Sequence, residues 1–166
     1  MSQPLTFAHL TDPHLTSLER VRVSQLCNKR ILGYLSWRFS RRHEHRREIL
    51  DALQQDLKHT APQHLVITGD LTHIGLPHEF SQALQWLRAL GTPDAVTVVP
   101  GNHDAYVPTP WDQTFALWWP YMAPEPPRGP NPADPRSTFP HVRLRGPVAF
   151  IGLSSAHPSP PFLAVG

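Results

Sequence analysis

Apolar residues recur along the first two thirds of the chain with two spacings, which predict strands and helices in alternation. Short apolar runs, each ended by a polar turn, predict strands over residues 5–10, 64–68 and 95–99. Apolar side chains three and four positions apart predict amphipathic helices over residues 44–59 and 77–90. Pro77 suits the first turn of the second helix, and Gly91 suits its C-terminal cap. This order of strands and helices favours a parallel sheet with helices packed on it.

The rest of the chain carries a weaker pattern. It predicts a short amphipathic helix, an aromatic helix and a two-stranded hairpin, over residues 31–37, 111–121, and 141–145 with 148–153. Fourteen of the twenty prolines lie from Pro108 onward, so residues 105–140 are predicted to be a proline-rich loop region. The length of 166 residues suits a single domain over residues 1–166, interrupted by a basic insertion at 17–47.

The basic residues are unevenly distributed. Nine of the fifteen lysines and arginines lie between residues 20 and 47, where Glu44 is the only acid. Such a stretch attracts phosphates or an anionic surface, and it is equally typical of a solvated loop that leads into a helix. The formal net charge of +2 is too small to predict specific nucleic-acid binding by itself. Segment 20–47 therefore predicts either an anionic partner, such as a membrane surface, or a solvated loop.

The sequence favours a cytoplasmic location. No apolar run approaches the ~20 residues of a membrane span, and residues 1–15 lack the basic and apolar regions of a signal peptide. Cys27 is the single cysteine, which excludes an internal disulfide and suits a reducing compartment. If segment 20–47 binds an anionic surface, the location becomes peripheral to a membrane.

Polar clusters with metal-binding side chains follow the three predicted strands. They are Asp12-Pro13-His14, Gly69-Asp70 and Gly101-Asn102-His103-Asp104. Because ligands bind at the carboxyl ends of parallel strands, we expect these clusters to meet at one edge of the sheet. Each aspartate or asparagine alone is typical of a turn or a helix cap. Together, carboxylates, imidazoles and a carboxamide without a thiolate predict a site for Mn, Fe, Zn or a similar ion.

These motifs, in this order and each after a predicted strand, resemble those of the calcineurin-like metallophosphoesterase superfamily. Residues 64–71, HLVITGDL, are similar to the usual second motif of that family. Residues 148–155, VAFIGLSS, resemble a later strand of bacterial members, including the cyclic-nucleotide phosphodiesterase branch. The resemblance implies an α/β sandwich of two sheets flanked by helices. It also implies hydrolysis of a phosphomonoester or phosphodiester substrate.

The resemblance further implies two divalent transition-metal ions as cofactors, with Mn, Fe or Zn as the candidates. Asp12 and His14 would bind the first ion. Asp70 would bridge both ions, and Asn102 would bind the second.

The resemblance assigns catalysis to the end of the third motif. His103 would lie beside the scissile phosphate and would stabilise or protonate the leaving oxygen. Asp104 would orient His103 through a hydrogen bond, as carboxylates commonly do for imidazoles. A helix-cap role for Asp104 is nearly as well supported by the sequence.

One part of the family pattern is missing. The family completes its site with a further histidine and then a Gly-His-x-His motif, both nearer the C-terminus. The chain has no Gly-His-x-His, and His141 and His157 are the only histidines after His103. His157 is a weak match to the later histidine, because short matches are often accidental. We therefore expect the chain to hold the N-terminal half of the fold and to be inactive as it stands.

Two other functions stay open from the sequence. A non-catalytic scaffold or binding module could keep the fold and lose the chemistry, although the presence of His103 and both aspartates argues against it. Alternatively, segment 20–47 could anchor an enzyme that acts on lipid phosphates at a membrane surface.

Overall fold

Three parallel strands form the centre of the fold. The computed structural model describes residues 4–15, 17–19, 21–40, 47–125 and 138–161. The strands are β1 (Phe7–Thr11), β2 (His64–Thr68) and β3 (Val96–Val99), and they pair in the order β1-β2-β3. Both pairings are parallel, so all three carboxyl ends lie at the same edge of the sheet. The predicted parallel sheet is confirmed, and β2 occupies the residues predicted for it.

Two long helices connect these strands. They are α2 (Arg47–Thr60) and α3 (Pro77–Leu90), and α3 has the bounds that the sequence predicts. The predicted start of α2 at residues 44–46 lies outside the described residues. The buried stripe of α3 joins the core of the sheet through Phe80, Ala83 and Leu87. Gly91 follows α3 with an extended backbone, at φ 167°, rather than the left-handed one of a glycine cap. The predicted α/β fold class is correct.

The segment before α2 folds onto the loop that follows β2. A 3₁₀ turn (Val23–Leu26) leads into helix α1 (Arg30–Phe39), which is longer than the predicted 31–37. A second buried cluster joins this segment to the loop and consists of Leu18, Leu26, Trp37, Ile74 and Leu76. The described part of the basic insertion is therefore packed structure rather than a plain loop. Within the described ranges, no helix combines the length and the apolarity needed to cross a membrane.

Residues 111–121 do not form the single aromatic helix that the sequence predicts. They form two 3₁₀ turns and one short α-helix, at Trp111–Gln113, at Phe115–Trp118 and at Trp119–Met122 (α4). Thr114, at φ −134° and ψ −102°, leaves the helical region and separates the two 3₁₀ turns, and Pro120 lies in the first turn of α4, where its missing N–H is tolerated. Trp118 anchors the segment to α3, because its Nε1 donates a hydrogen bond of 3.0 Å to the carbonyl of Phe80.

The predicted hairpin is present as a two-stranded antiparallel sheet. This sheet packs against the parallel sheet. Its strands are β4 (His141–Arg145) and β5 (Val148–Gly152). The Phe150 ring lies 4.6 Å from the His64 ring on β2, measured between centroids. Arg143 is 1% exposed and ties the hairpin to the rest of the fold through hydrogen bonds to the carbonyls of Pro93, Val96, Pro120 and Ala123. Residues 126–137, a third of the predicted proline-rich loop region 105–140, lie outside the described residues.

Candidate metal centre

The three predicted clusters meet at the carboxyl edge of the parallel sheet. The loops after β1 and β2 are joined by a backbone hydrogen bond of 3.0 Å from His14 N to Asp70 O. The end of β2 is joined to β3 by a bond of 2.7 Å from Gly69 N to Val99 O. The parallel topology therefore gathers side chains that are far apart along the sequence, as the strand-end rule predicts.

Three of the predicted site residues have a strained backbone. Asp12, His14 and Asp70 have φ angles of 52°, 42° and 51°, in the left-handed region that non-glycine residues rarely adopt. Ala61 is the one other such residue in the described part of the chain. Strain of this kind persists where the surrounding contacts determine the conformation, and it concentrates at functional sites. The strained turns therefore favour a functional role for the side chains that they carry.

Two glycines allow the loops after β2 and β3 to touch. A Cβ added to Gly101 would lie 2.2 Å from Asp70 Oδ1 and 2.6 Å from Asp70 N, which is inside van der Waals contact. A Cβ added to Gly69 would lie 2.9 Å from Gly101 Cα. Across this close contact, His103 N donates a hydrogen bond of 2.8 Å to Asp70 Oδ1. The carboxylate of Asp70 is thus held in place by the loop after β3.

His14, Asp70 and His103 form a cluster with the donors of a metal site. One ligand atom from each residue lies within 4.8 Å of the other two. His14 Nδ1 pairs with the carbonyl of Thr72 at 3.0 Å, and His103 Nδ1 pairs with that of His73 at 2.6 Å. Because a carbonyl oxygen only accepts, Nδ1 carries a proton in each ring, so in the neutral ring Nε2 carries the lone pair. This is the tautomer that binds a metal through Nε2, so both imidazoles fit a metal site.

Asp12 adds a second negative charge to the cluster. Its carboxylate lies within hydrogen-bonding reach of Asp70 and accepts a hydrogen bond from Thr11 Oγ1. Burial raises the pKa of Asp70; the backbone hydrogen bond from His103 opposes this rise, and the charge of Asp12 adds to it. Adjacent carboxylates repel each other unless a cation neutralises them, so this donor set fits a divalent cation. Asn102 lies partly buried beside His103 in the same turn.

Asp104 differs from the role that the sequence predicts. It is 1% exposed, and its two oxygens accept hydrogen bonds of 2.9 Å from the backbone N–H groups of Thr72 and Gly101. Burial raises the pKa of Asp104 to about 7, and the hydrogen bond from Gly101 opposes this rise. The Nδ1 of His103 pairs with the carbonyl of His73 rather than with Asp104. The expected orienting contact is therefore corrected: Asp104 joins the two loops through their backbones.

The match to a protein family agrees with this donor set. The family model described as calcineurin-like phosphoesterase matches residues 5–153, which is most of the chain. The chain belongs to the calcineurin-like phosphoesterase family. No curated protein matches it. Members of the family are generally hydrolases of phosphate esters that use divalent metal ions, in agreement with the ligand cluster described above.

The calcineurin-like phosphoesterase site is supported by a buried carboxylate that the sequence analysis misses. Glu79 is fully buried and accepts hydrogen bonds from the backbone N–H groups of His73, Ile74 and Leu76, at 2.7, 3.2 and 2.9 Å. These bonds fix the loop whose His73 carbonyl holds His103. A local signal for this role exists, because Glu79 is the third residue of α3, where glutamates commonly bind N–H groups before a helix.

Arg30 of α1 supports the same loop of the phosphoesterase from the other direction. Its Nε donates to the carbonyl of Ile74 at 3.0 Å, and its Nη2 donates to that of Gly75 at 2.6 Å. The partners are 44 and 45 residues away in sequence, so no local pattern predicts these contacts. The basic insertion therefore takes part in building the site.

Two rings stack on the imidazoles of the phosphoesterase centre. The His73 ring lies parallel to His14 at 4.8 Å between centroids, and the Tyr106 ring lies parallel to His103 at 5.6 Å. Lys29 Nζ lies 4.6 Å from the centroid of the Tyr106 ring, and burial lowers its pKa. No local sequence pattern predicts that Tyr106 and Lys29 lie beside His103, since their position depends on tertiary packing.

The two later histidines stay outside the cluster of the described residues. His141 is 1% exposed, and burial lowers its pKa to about 4, with the charge of Arg143 adding to the effect. His157 is exposed, pairs through Nδ1 with the carbonyl of Ser155 at 3.0 Å, and lines an apolar cavity of about 430 Å³. The weak match of His157 to a metal ligand therefore gains no support.

Proposed function

We propose that this phosphoesterase hydrolyses a phosphomonoester or a phosphodiester at a centre of two divalent metal ions. The observation that carries the proposal is the meeting of His14, Asp70 and His103, with one ligand atom of each within 4.8 Å of the others. The family, which is generally hydrolytic, supports the reaction class. The strained turns at Asp12 and Asp70 support the same location, because strain concentrates at functional sites.

The proposed ligands divide between the two ions. Asp12 and His14 would hold the first ion and Asn102 the second, and Asp70 would serve both. Oxygen and imidazole donors of this kind suit Mn, Fe or Zn. When bound, the ions supply Lewis acidity, which activates water and offsets the negative charge that develops on the phosphoryl group.

His103 is proposed as the group that protonates the leaving oxygen. Its Nδ1 is held by the His73 carbonyl, and the Tyr106 ring restricts rotation of the imidazole from one face. A protonated imidazole carries a second N–H at Nε2, which it gives to the leaving oxygen as the ester bond breaks. Because a ring nitrogen of His103 also lies within 4.8 Å of the ligand atoms of His14 and Asp70, the alternative is that His103 binds a metal ion. Metal content separates the two.

The proposal also covers the domain organisation and the location of the protein. Residues 1–166 contribute one metallophosphoesterase domain, in which 17–47 are an insertion and 105–140 a loop region. The lone cysteine, Cys27, supports a reducing compartment such as the cytoplasm.

Asp70→Asn tests the proposal, because it keeps the shape of the side chain and removes the charge that both ions share. If the four proposed ligands suffice without the missing Gly-His-x-His motif, the protein binds two ions per chain, and the variant should lose ~10–100-fold or more in metal affinity together with turnover of aryl phosphate mono- and diesters. Asp51→Asn, on the exposed face of α2, is the matched control and should change neither quantity. Elemental analysis that finds no metal in the parent protein, or equal metal in Asp70→Asn, would contradict the proposed centre.

A further inference from the structure

Helix α1 presents an apolar stripe to solvent. Ile31, Leu35 and Phe39 are 47%, 41% and 83% exposed, and their spacing of four residues places them on one face of the helix. Trp37 is buried on the opposite face. A contiguous exposed apolar patch of this kind marks an interaction surface, because water contact is unfavourable for these side chains. The three residues are called the α1 stripe below.

The charges around the α1 stripe are basic. Arg38 is exposed and, at seven residues from Ile31, lies on the same face of the helix. In the turn before α1, Arg22 is exposed beside Val23, which is itself 84% exposed. The sequence of residues 20–47 contains nine basic residues and a single acid, Glu44. An apolar helix face edged by arginines matches an anionic lipid surface, in which side chains insert among acyl chains and cations contact headgroups.

The buried face of α1 contacts the loop after β2, in which the carbonyl of His73 pairs with His103. Arg30 holds the carbonyls of Ile74 and Gly75. A Cβ added to Gly33 would lie 2.6 Å from Ile74 Cγ2 and 2.8 Å from the Tyr106 hydroxyl, so helix and loop are in direct contact. Tyr106 in turn stacks on His103. A surface that binds the α1 stripe therefore lies about one helix diameter, ~10–12 Å, from the loop that holds the proposed catalytic residue.

We propose that the α1 stripe docks the protein on an anionic lipid surface and that the substrate is a phosphate ester carried by a lipid in that surface. The docking stands on the exposure and charge of α1. The substrate class rests in addition on the proposed phosphoesterase activity. Exposed cations contribute through long-range attraction, so docking weakens as salt rises.

Vesicle co-sedimentation of the protein tests the docking. Vesicles of phosphatidylcholine with phosphatidylglycerol should bind it, and binding should fall at high salt and on pure phosphatidylcholine. Ile31→Ser/Leu35→Ser/Phe39→Ser should lower partitioning ~100-fold, and Arg38→Gln alone ~5-fold. The matched control is Leu144→Ser/Ile151→Ser, which changes two exposed apolar residues of the hairpin, 65% and 64% exposed, and should bind as the parent does. Equal binding by the parent, the triple serine variant and Arg38→Gln would overturn the proposal.

Hydrolysis separates this inference from the proposed function. The triple serine variant should keep turnover of a soluble aryl phosphate and lose turnover of phosphatidic acid in phosphatidylcholine vesicles. Turnover of the soluble ester without any vesicle binding by the parent would overturn the docking and leave the phosphoesterase proposal standing. Vesicle binding with no hydrolysis of either ester would leave the docking standing. It would overturn both the phosphoesterase proposal and the lipid substrate. Light scattering in the absence of vesicles tests for a dimer. A dimer of the parent that the triple variant abolishes would show that the α1 stripe binds a second copy of the chain instead, and would overturn the docking.

Discussion

The carboxylate of Asp104 accepts a hydrogen bond of 2.9 Å from the backbone N–H of Thr72, 32 residues away in the sequence. Its second oxygen accepts from Gly101 N, so one buried side chain joins the loop after β2 to the loop after β3. Asp70 lies in the first loop and His103 in the second. The distance between these two residues therefore depends on a side chain that belongs to neither.

Asp104→Asn should destabilise the protein without removing its metal ligands. The amide can accept one of the two backbone hydrogen bonds, and the other N–H is left buried without a partner, which costs about 1–3 kcal/mol. Chemical denaturation should show this loss, whereas the exposed Asp112→Asn should stay within about 0.5 kcal/mol of the parent. An unchanged free energy of unfolding in Asp104→Asn would contradict the bridging role.

His103→Gln should lower turnover of a soluble aryl phosphate by ~10²–10⁴, the range for a positioned general acid. Metal content should change little, because the proposal assigns His103 to the leaving group. Rate and elemental analysis on the same sample check both statements. Loss of metal in proportion to activity would instead make His103 a ligand.

Gly101→Ala should weaken metal binding by ~10–100-fold, the usual effect of disturbing a ligand's support. The new Cβ would lie 2.2 Å from Asp70 Oδ1, so the carboxylate must move away from the position that the cluster requires. Gly91→Ala is a suitable control, since its Cβ would come no closer than 3.3 Å to a neighbour. Metal titration of the two variants should differ; equal affinities would show that the position of Asp70 does not matter.

The protein should lose stability as the pH falls below about 6.5, in part through two buried histidines. Burial, followed by the charges of nearby arginines, lowers the pKa of His64 to about 4, and His141 has the same value from burial and the charge of Arg143. The unfolded chain takes up protons near pH 6.5 and the folded state does not. The contribution of each histidine is therefore complete above pH 6.5 and disappears as the pH falls toward 4.

His141→Leu tests this pH dependence. Removing one titrating group should shrink the difference in unfolding free energy between pH 7 and pH 5 by about 2 kcal/mol. Leu144→Ala, in the same strand but exposed, carries no titrating group and should keep the difference of the parent. Urea denaturation at the two pH values gives the comparison. An unchanged difference in His141→Leu would show that His141 does not contribute to the acid sensitivity.

Local pattern was sufficient for the sheet and for α3. The apolar run at β2 and the Pro77 start of α3 are local signals, and the structure has both elements at the predicted bounds. The prediction of one helix over residues 111–121 was wrong, because apolar spacing does not show that the backbone leaves the helical region at Thr114. Where a signal lay within a few residues, the sequence was informative.

Some residues of the candidate site could be placed from the sequence, and others could not. His14 and Asp70 could be placed together from the rule that parallel strands share one carboxyl edge, and the cluster agrees. The support from Arg30 and Tyr106 could not be predicted, because each contacts its partner only after α1 or the turn beyond β3 has packed. The corrected role of Asp104 has the same cause, since its partner Thr72 lies on another loop.

The bare backbone at Gly33 has a mechanical consequence. Because Gly33 has no side chain, the backbone of α1 packs directly on Ile74 and Tyr106, and this close packing opposes sliding of the helix over the loop. If the α1 stripe docks on a lipid surface, this packing keeps the distance between His103 and that surface constant. Esters whose phosphate lies at that distance from the acyl chains would be cleaved. Esters whose phosphate lies deeper in the membrane or projects further from it would not be cleaved.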